Sequence, residues 1–146
     1  GTGVALVELY DACGASGSKL TNVSARTQVG TGGDILIAGF AIGGTSSKTL
    51  LIRAVGPTLG GFGVTGVLAD PKLDLYSGSS VVQSNDNWGG TTALNNAFTQ
   101  VGAFTLPATS RDAALLVTLQ PGSYTAQISG VNNATGVALV EVYEMP

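Results

Sequence analysis

Residues 2–8 read Thr-Gly-Val-Ala-Leu-Val-Glu, and the same seven residues return at 135–141, so the chain opens on a near copy of its own last strand. The match runs on with Tyr10 over Tyr143, Leu9 over Val142 and Asp11 over Glu144, at a constant offset of 133 positions from residue 2 to residue 135. In a chain of 146 residues such a repeat makes the structural unit about one period long and sets units head to tail. Extended, the N-terminal copy places Val4, Leu6, Glu8 and Tyr10 on one face and Ala5, Val7 and Leu9 on the other. It is apolar on both sides except at the glutamate, and such a strand is stable only when both faces are covered. Left free, it is an edge that either aggregates or pairs with another chain.

The length fits one compact domain with a real core. Charged residues make up 10 %, the net charge is −3, histidine is absent and glycine fills 22 positions. Six Lys and Arg, spread singly, cannot form the basic stripe that phosphate neutralisation needs, so nucleic acid is not an expected partner. Low charge also leaves little repulsion against association, which suits a subunit of an assembly. No apolar run approaches the ~20 residues of a membrane span, and no leader sequence precedes Gly1; in an exported chain it would already have been removed. Cys13 is the sole cysteine, which rules out an intrachain disulfide.

Strand-like runs rich in Val, Ile, Leu, Thr and aromatic residues fall near 3–10, 19–27, 35–43, 49–56, 72–77, 79–85, 102–106, 113–119, 124–129 and 136–144. Residues 91–98 hint at a short helix. Gly44-Thr-Ser-Ser-Lys48 reads as a hairpin loop and Pro121-Gly122 as the centre of a type II turn, which makes 113–144 a three-stranded meander. The spacing predicts an all-β, two-sheet antiparallel sandwich of jelly-roll or immunoglobulin-like type. Residues 1–10 are expected to form an exchanged or added arm strand, 11–18 a Gly/Ser linker and 19–146 the sandwich domain.

No stretch carries a convincing catalytic pattern, and an enzyme is not expected. Gly43-Gly-Thr-Ser-Ser-Lys-Thr49 lacks the glycine a phosphate loop needs before its lysine, and no helix follows it. Gly56–Gly66 likewise has no strand-to-helix setting. Without histidine, Cys13 has no imidazole to activate it; Ser47 and Lys48 at a hairpin tip point apart; and the sequence carries no sign that Asp70, Asp74 and Asp86 converge for glycoside hydrolysis. Asn85, Asp86 and Asn87 are weak calcium candidates, since one acid makes a poor site; the simpler reading is an Asx-rich turn capped by Trp88, and no cofactor is expected.

Arg53 interrupts Thr49-Leu-Leu-Ile-Arg-Ala-Val55 as Glu141 interrupts the last strand, and a charge in an apolar strand needs a partner. The expected pair is Arg53 with Glu141, or with Glu8 where the arm is inserted. Asn22-Val-Ser24 and Asn133-Ala-Thr135 are glycosylation acceptor patterns, so surface glycan on Asn22 and Asn133 is expected.

Leu73-Asp-Leu-Tyr76, Asn85-Asp-Asn-Trp88, Phe104-Thr-Leu-Pro107, Pro121-Gly-Ser-Tyr-Thr125 and Gly136–Tyr143 resemble the bacterial pre-peptidase C-terminal-type domains, β-sandwich modules at the ends of secreted proteases. Leu51–Leu59 and Gly63–Pro71 are similar to a module repeated in tandem in exported bacterial surface proteins. The duplicated terminal strand resembles that of fibre subunits joined by donor-strand complementation, although here the C-terminal strand already supplies a like sequence. The resemblance implies a non-catalytic, extracellular module whose partners are copies of itself. The expected function is therefore a filament subunit that assembles head to tail through Val4, Leu6, Val7, Glu8, Leu9 and Tyr10. The alternatives are one module of a covalent tandem array, or a carbohydrate-binding module presenting Trp88, Phe62 and Tyr76.

Overall fold

The computed structural model describes residue 7 and residues 20–146. The expected linker and, apart from an exposed Val7, the expected arm lie outside the described residues, as do Glu8 and Cys13. Eight strands follow: β1 (Asn22–Val29), β2 (Leu36–Ile42), β3 (Lys48–Val55), β4 (Pro71–Ser77), β5 (Ser80–Asn85), β6 (Ala113–Leu119), β7 (Gly122–Gly130) and β8 (Gly136–Glu144). They form two four-stranded antiparallel sheets, ordered β1-β8-β3-β6 and β2-β7-β4-β5.

The fold is all-β, and its pairings follow one rule. β4 pairs with β5, β3 with β6, β2 with β7 and β1 with β8, so the chain is a long double ribbon doubled back at the Gly78–Ser79 turn and rolled up. The roll is closed by β3 against β8 and by β4 against β7. This is jelly-roll strand order. Its consequence is that every strand connection except β4–β5 crosses from one sheet to the other.

Four expectations are corrected. Gly44–Lys48 joins β2 to β3 in opposite sheets and is not a hairpin, and residues 113–144 are not a meander, since β6 and β8 lie in one sheet and β7 in the other. At Pro121-Gly122, Gly122 has φ +154° and already begins β7, far from the value near +80° of a type II turn. Residues 102–106 form no strand; they lie as a loop across the outer face of the first sheet, where Ala103 and Phe104 pack.

Between the sheets, alternate side chains of the inner strands meet: Ile52 and Ala54 of β3, Ala138 and Val140 of β8, Leu73 and Leu75 of β4, and Ala126 and Ile128 of β7. The first sheet is covered on its other face too. Leu51, Val55 and Ala114 pack there beneath the 3-10 turn Pro57–Phe62, Trp88 and the helix α1 (Thr92–Gln100). Thr91 caps the helix by accepting a hydrogen bond from the Leu94 amide, and Leu94, Ala97 and Phe98, at helical spacing, are its buried face. Double coverage explains why β3 reads as an almost unbroken apolar run.

Candidate functional site

β8, the strand whose sequence the N terminus repeats, lies inside the first sheet with β1 on one side and β3 on the other. Its register is continuous on both flanks: Ala25 of β1 and Ala54 of β3 both stand opposite Val140, and Ser24 and Arg53 both stand opposite Glu141. Ala138 and Val140 face the inter-sheet core, whereas Leu139, Glu141 and Tyr143 face the layer under α1. Both faces of the β8 sequence are thus occupied, as its two-sided apolar character requires.

Arg53 is completely buried, and its Nε and Nη2 donate to Glu141 Oε2 at 2.8 and 2.5 Å. Its Nη1 donates to the Phe104 carbonyl at 2.6 Å, and its guanidinium lies 4.3 Å from the Phe104 ring centre and 4.9 Å from that of Phe98. The other carboxylate oxygen of Glu141 accepts from the Tyr143 hydroxyl at 2.7 Å. The charges are therefore paired in a dry layer, with a bidentate donor fork on the carboxylate. Burial, then the hydrogen bond to Glu141 and its negative charge, push the Tyr143 hydroxyl up to about 12, only partly opposed by Arg53.

The strand enters through a narrow place. A Cβ at Gly136 would lie 2.5 Å from the Leu68 nitrogen and 2.7 Å from the Leu68 Cα, because residues 66–68 run beside the start of β8. Val137 exchanges backbone hydrogen bonds there, donating to the Gly66 carbonyl and accepting from the Leu68 amide, both at 2.8 Å. Only a residue without a side chain fits position 136.

Of the residues singled out in the sequence, the structure brings Arg53 and Glu141 together. The remaining ones are scattered. Asn22 is the first residue of β1, and its side-chain nitrogen, the atom a glycan would take, donates to the Val142 carbonyl at 3.3 Å. Asn133 is exposed with φ +60°, between β7 and β8. The Asn85 side chain is engaged at both ends: Oδ1 accepts from the Ala114 amide at 3.1 Å and Nδ2 donates to the Asn87 carbonyl at 2.9 Å. Among the described residues no three acids are grouped as metal ligands.

Trp88, Phe62 and Tyr76 do not share a surface. Trp88 is buried with its indole N–H on the Pro107 carbonyl, at 3.0 Å, and on Ser110. Phe62 packs edge-on against Phe104 above the first sheet, while Tyr76 alternates with the core residues of β4 and so faces outward from the second. The hollow bordered by Thr58, Phe62, Thr105 and Pro107 is lined by no ionisable side chain.

Sequence reasoning missed three participants. The Phe104 carbonyl carried no signal, being a backbone atom. Tyr143 was signalled, since it is one of the residues that the repeat retains. Asp112, fully buried before β6, accepts from the Gly56 amide at 2.8 Å and from the Thr58 hydroxyl, which holds the 3-10 turn in place; its only sequence signal was a lone acid beside an apolar strand.

These features define a two-sheet β-sandwich of jelly-roll order whose outer layer closes over one buried charge pair. No family model matches the chain, and no curated protein matches it. Among solved structures it is similar to the pre-peptidase C-terminal domain of collagenase from Bacillus anthracis, with 13 % identity and a TM-score of 0.50 over 84 % of this chain and 89 % of that one. At that identity the likeness is one of fold.

Proposed function

We propose that this protein is a structural, non-catalytic subunit of an extracellular filament, joined head to tail because residues 3–10 of one unit add a strand to the sheet of the next. The observation that carries the reading is the identity between residues 3–8 and residues 136–141, the first six of β8, a strand held between β1 and β3 inside the first sheet. A second such strand has no room in its own sandwich, and backbone pairing with another copy satisfies it. A head-to-tail contact of this kind does not close on itself, so it propagates into a fibre. An extracellular place accords with the low charge and with the likeness to a domain of a collagenase.

Deletion of residues 1–12 followed by negative-stain microscopy tests the proposal. Loss of filaments is expected, and filaments of ordinary length from the shortened chain would sink it. One observation favours a second reading, a covalent tandem array: the slot for β8 is already filled by the chain's own strand, so a copy of it closes a module placed before it. Denaturing mass spectrometry of native material separates the two, since an array has the mass of many periods.

A further inference from the structure

The position of β8 makes several separate demands on whatever strand fills it. It needs glycine at 136, where any Cβ meets the Leu68 backbone. It needs small or β-branched apolar residues at 138 and 140, both buried between the sheets. It needs a carboxylate at 141 for the buried Arg53 and a hydroxyl at 143 to take up the other carboxylate oxygen. Residues 3–10 meet every one of them, through Gly3, Ala5, Val7, Glu8 and Tyr10. The outer edge of β1, which pairs with no further strand among the described residues, makes none of these demands: Ser24–Gln28 are exposed, and a strand added beyond them would leave Glu8 in water and its apolar residues uncovered.

We propose that residues 3–10 of one copy of this chain occupy the β8 position, between β1 and β3, of a second copy, with Glu8 held by the receiving copy's Arg53. This deepens the filament reading and rests on it. The resident β8 and the incoming segment carry the same contacts, so they compete for one slot. The winner is the strand that holds Arg53 better.

Single substitutions should therefore push assembly in opposite directions. Glu141→Ala weakens the resident strand and should lower the concentration needed for filaments by about tenfold or more, whereas Glu8→Ala should raise it by a like factor, because either change strands a buried Arg53. Combining the two should return the threshold towards that of the parent chain, and in an Arg53→Leu background, where the glutamate is the charge left unpaired, both shifts should change sign. Sedimentation and negative-stain microscopy read the threshold, with far-UV circular dichroism confirming the fold.

A second measurement holds if Glu141→Ala fails to fold. In a Cys13→Ser background, Val7→Cys chains are mixed with Ala54→Cys chains and oxidised. In the β8 position Val7 takes the place of Val140, directly opposite Ala54. Opposed Cα atoms of antiparallel strands lie ~4.5–5.5 Å apart, inside the Cα separation that a disulfide spans. A disulfide-linked heterodimer in the filaments is expected. If truncation of residues 1–12 abolishes filaments but the cross-link does not form and Glu8→Ala is silent, the slot assignment is wrong and the filament reading stands. Filaments from the truncated chain remove both.

Discussion

Arg53 on β3 and Glu141 on β8 stand directly opposite in the register of the first sheet, and two guanidinium nitrogens share one carboxylate oxygen at 2.8 and 2.5 Å. The pair is enclosed between the sheet and the Phe98 and Phe104 rings. Replacing one partner leaves a buried charge alone. Glu141→Gln is expected to cost about 3–5 kcal/mol of folding stability. The double replacement Arg53→Leu with Glu141→Leu should cost clearly less than the sum of the single ones, as urea unfolding in a double-mutant cycle would reveal.

Tyr143 gives this network a pH limit. Its hydroxyl titrates at 10.0 when unfolded and at about 12 when folded, so between those values the folded chain keeps a proton that the unfolded chain has lost. Its contribution is complete below pH 10 and declines as pH rises towards 12. The melting temperature should fall over that window, and less steeply in Tyr143→Phe. An equal fall in both proteins would exclude Tyr143 as the cause.

Gly136 and Gly39 make a matched pair of tests. Alanine at 136 would press its methyl into the Leu68 backbone, whereas Gly39, in the edge strand β2, has nothing within 4 Å of such a methyl. Gly136→Ala should destabilise by about 1–3 kcal/mol or more, the range of overpacked sites, because backbone and not a flexible side chain must yield. Gly39→Ala should be neutral or mildly stabilising. Denaturant midpoints of the two variants provide the comparison.

Asn85 ties the end of β5 to the start of β6 by accepting the Ala114 amide. Asn85→Ala strands that N–H and should cost about 1–3 kcal/mol. Since this oxygen is already engaged, millimolar calcium should leave the melting temperature of the parent chain unchanged; a rise of several degrees would restore the turn as a cation site.

Trp88 is the sole tryptophan and is buried against Phe98, 5.3 Å between ring centres. Its fluorescence should be blue-shifted and poorly quenched by acrylamide in the folded state. Truncation to alanine should cost about 3–5 kcal/mol. Exposure of Trp88 before the far-UV signal is lost would mean that the α1 layer opens ahead of the sandwich.

The strands were legible because their β-branched and aromatic runs are long and well separated. The Arg53–Glu141 pair was legible because each charge stands alone in an apolar strand. Sheet membership was not legible: Gly44–Lys48 and Pro121-Gly122 carry the residues of tight reversals, yet local turn chemistry does not record whether the chain re-enters its own sheet or crosses to the other. Residues 102–106 looked like a strand for a related reason. Val101, Ala103, Phe104 and Leu106 are apolar because they roof the first sheet, and their burial requires no ladder of hydrogen bonds.

The pairing of β1 with β8 places Asn22 beside Tyr143, so the points where the sandwich is entered and left lie at the same corner. A load pulling those two points apart acts across the ladder and parts its hydrogen bonds in sequence, from Tyr143 inwards, instead of shearing them together. A fibre built from such units would lengthen under tension by peeling open at the β1–β8 seam, with the second sheet still intact.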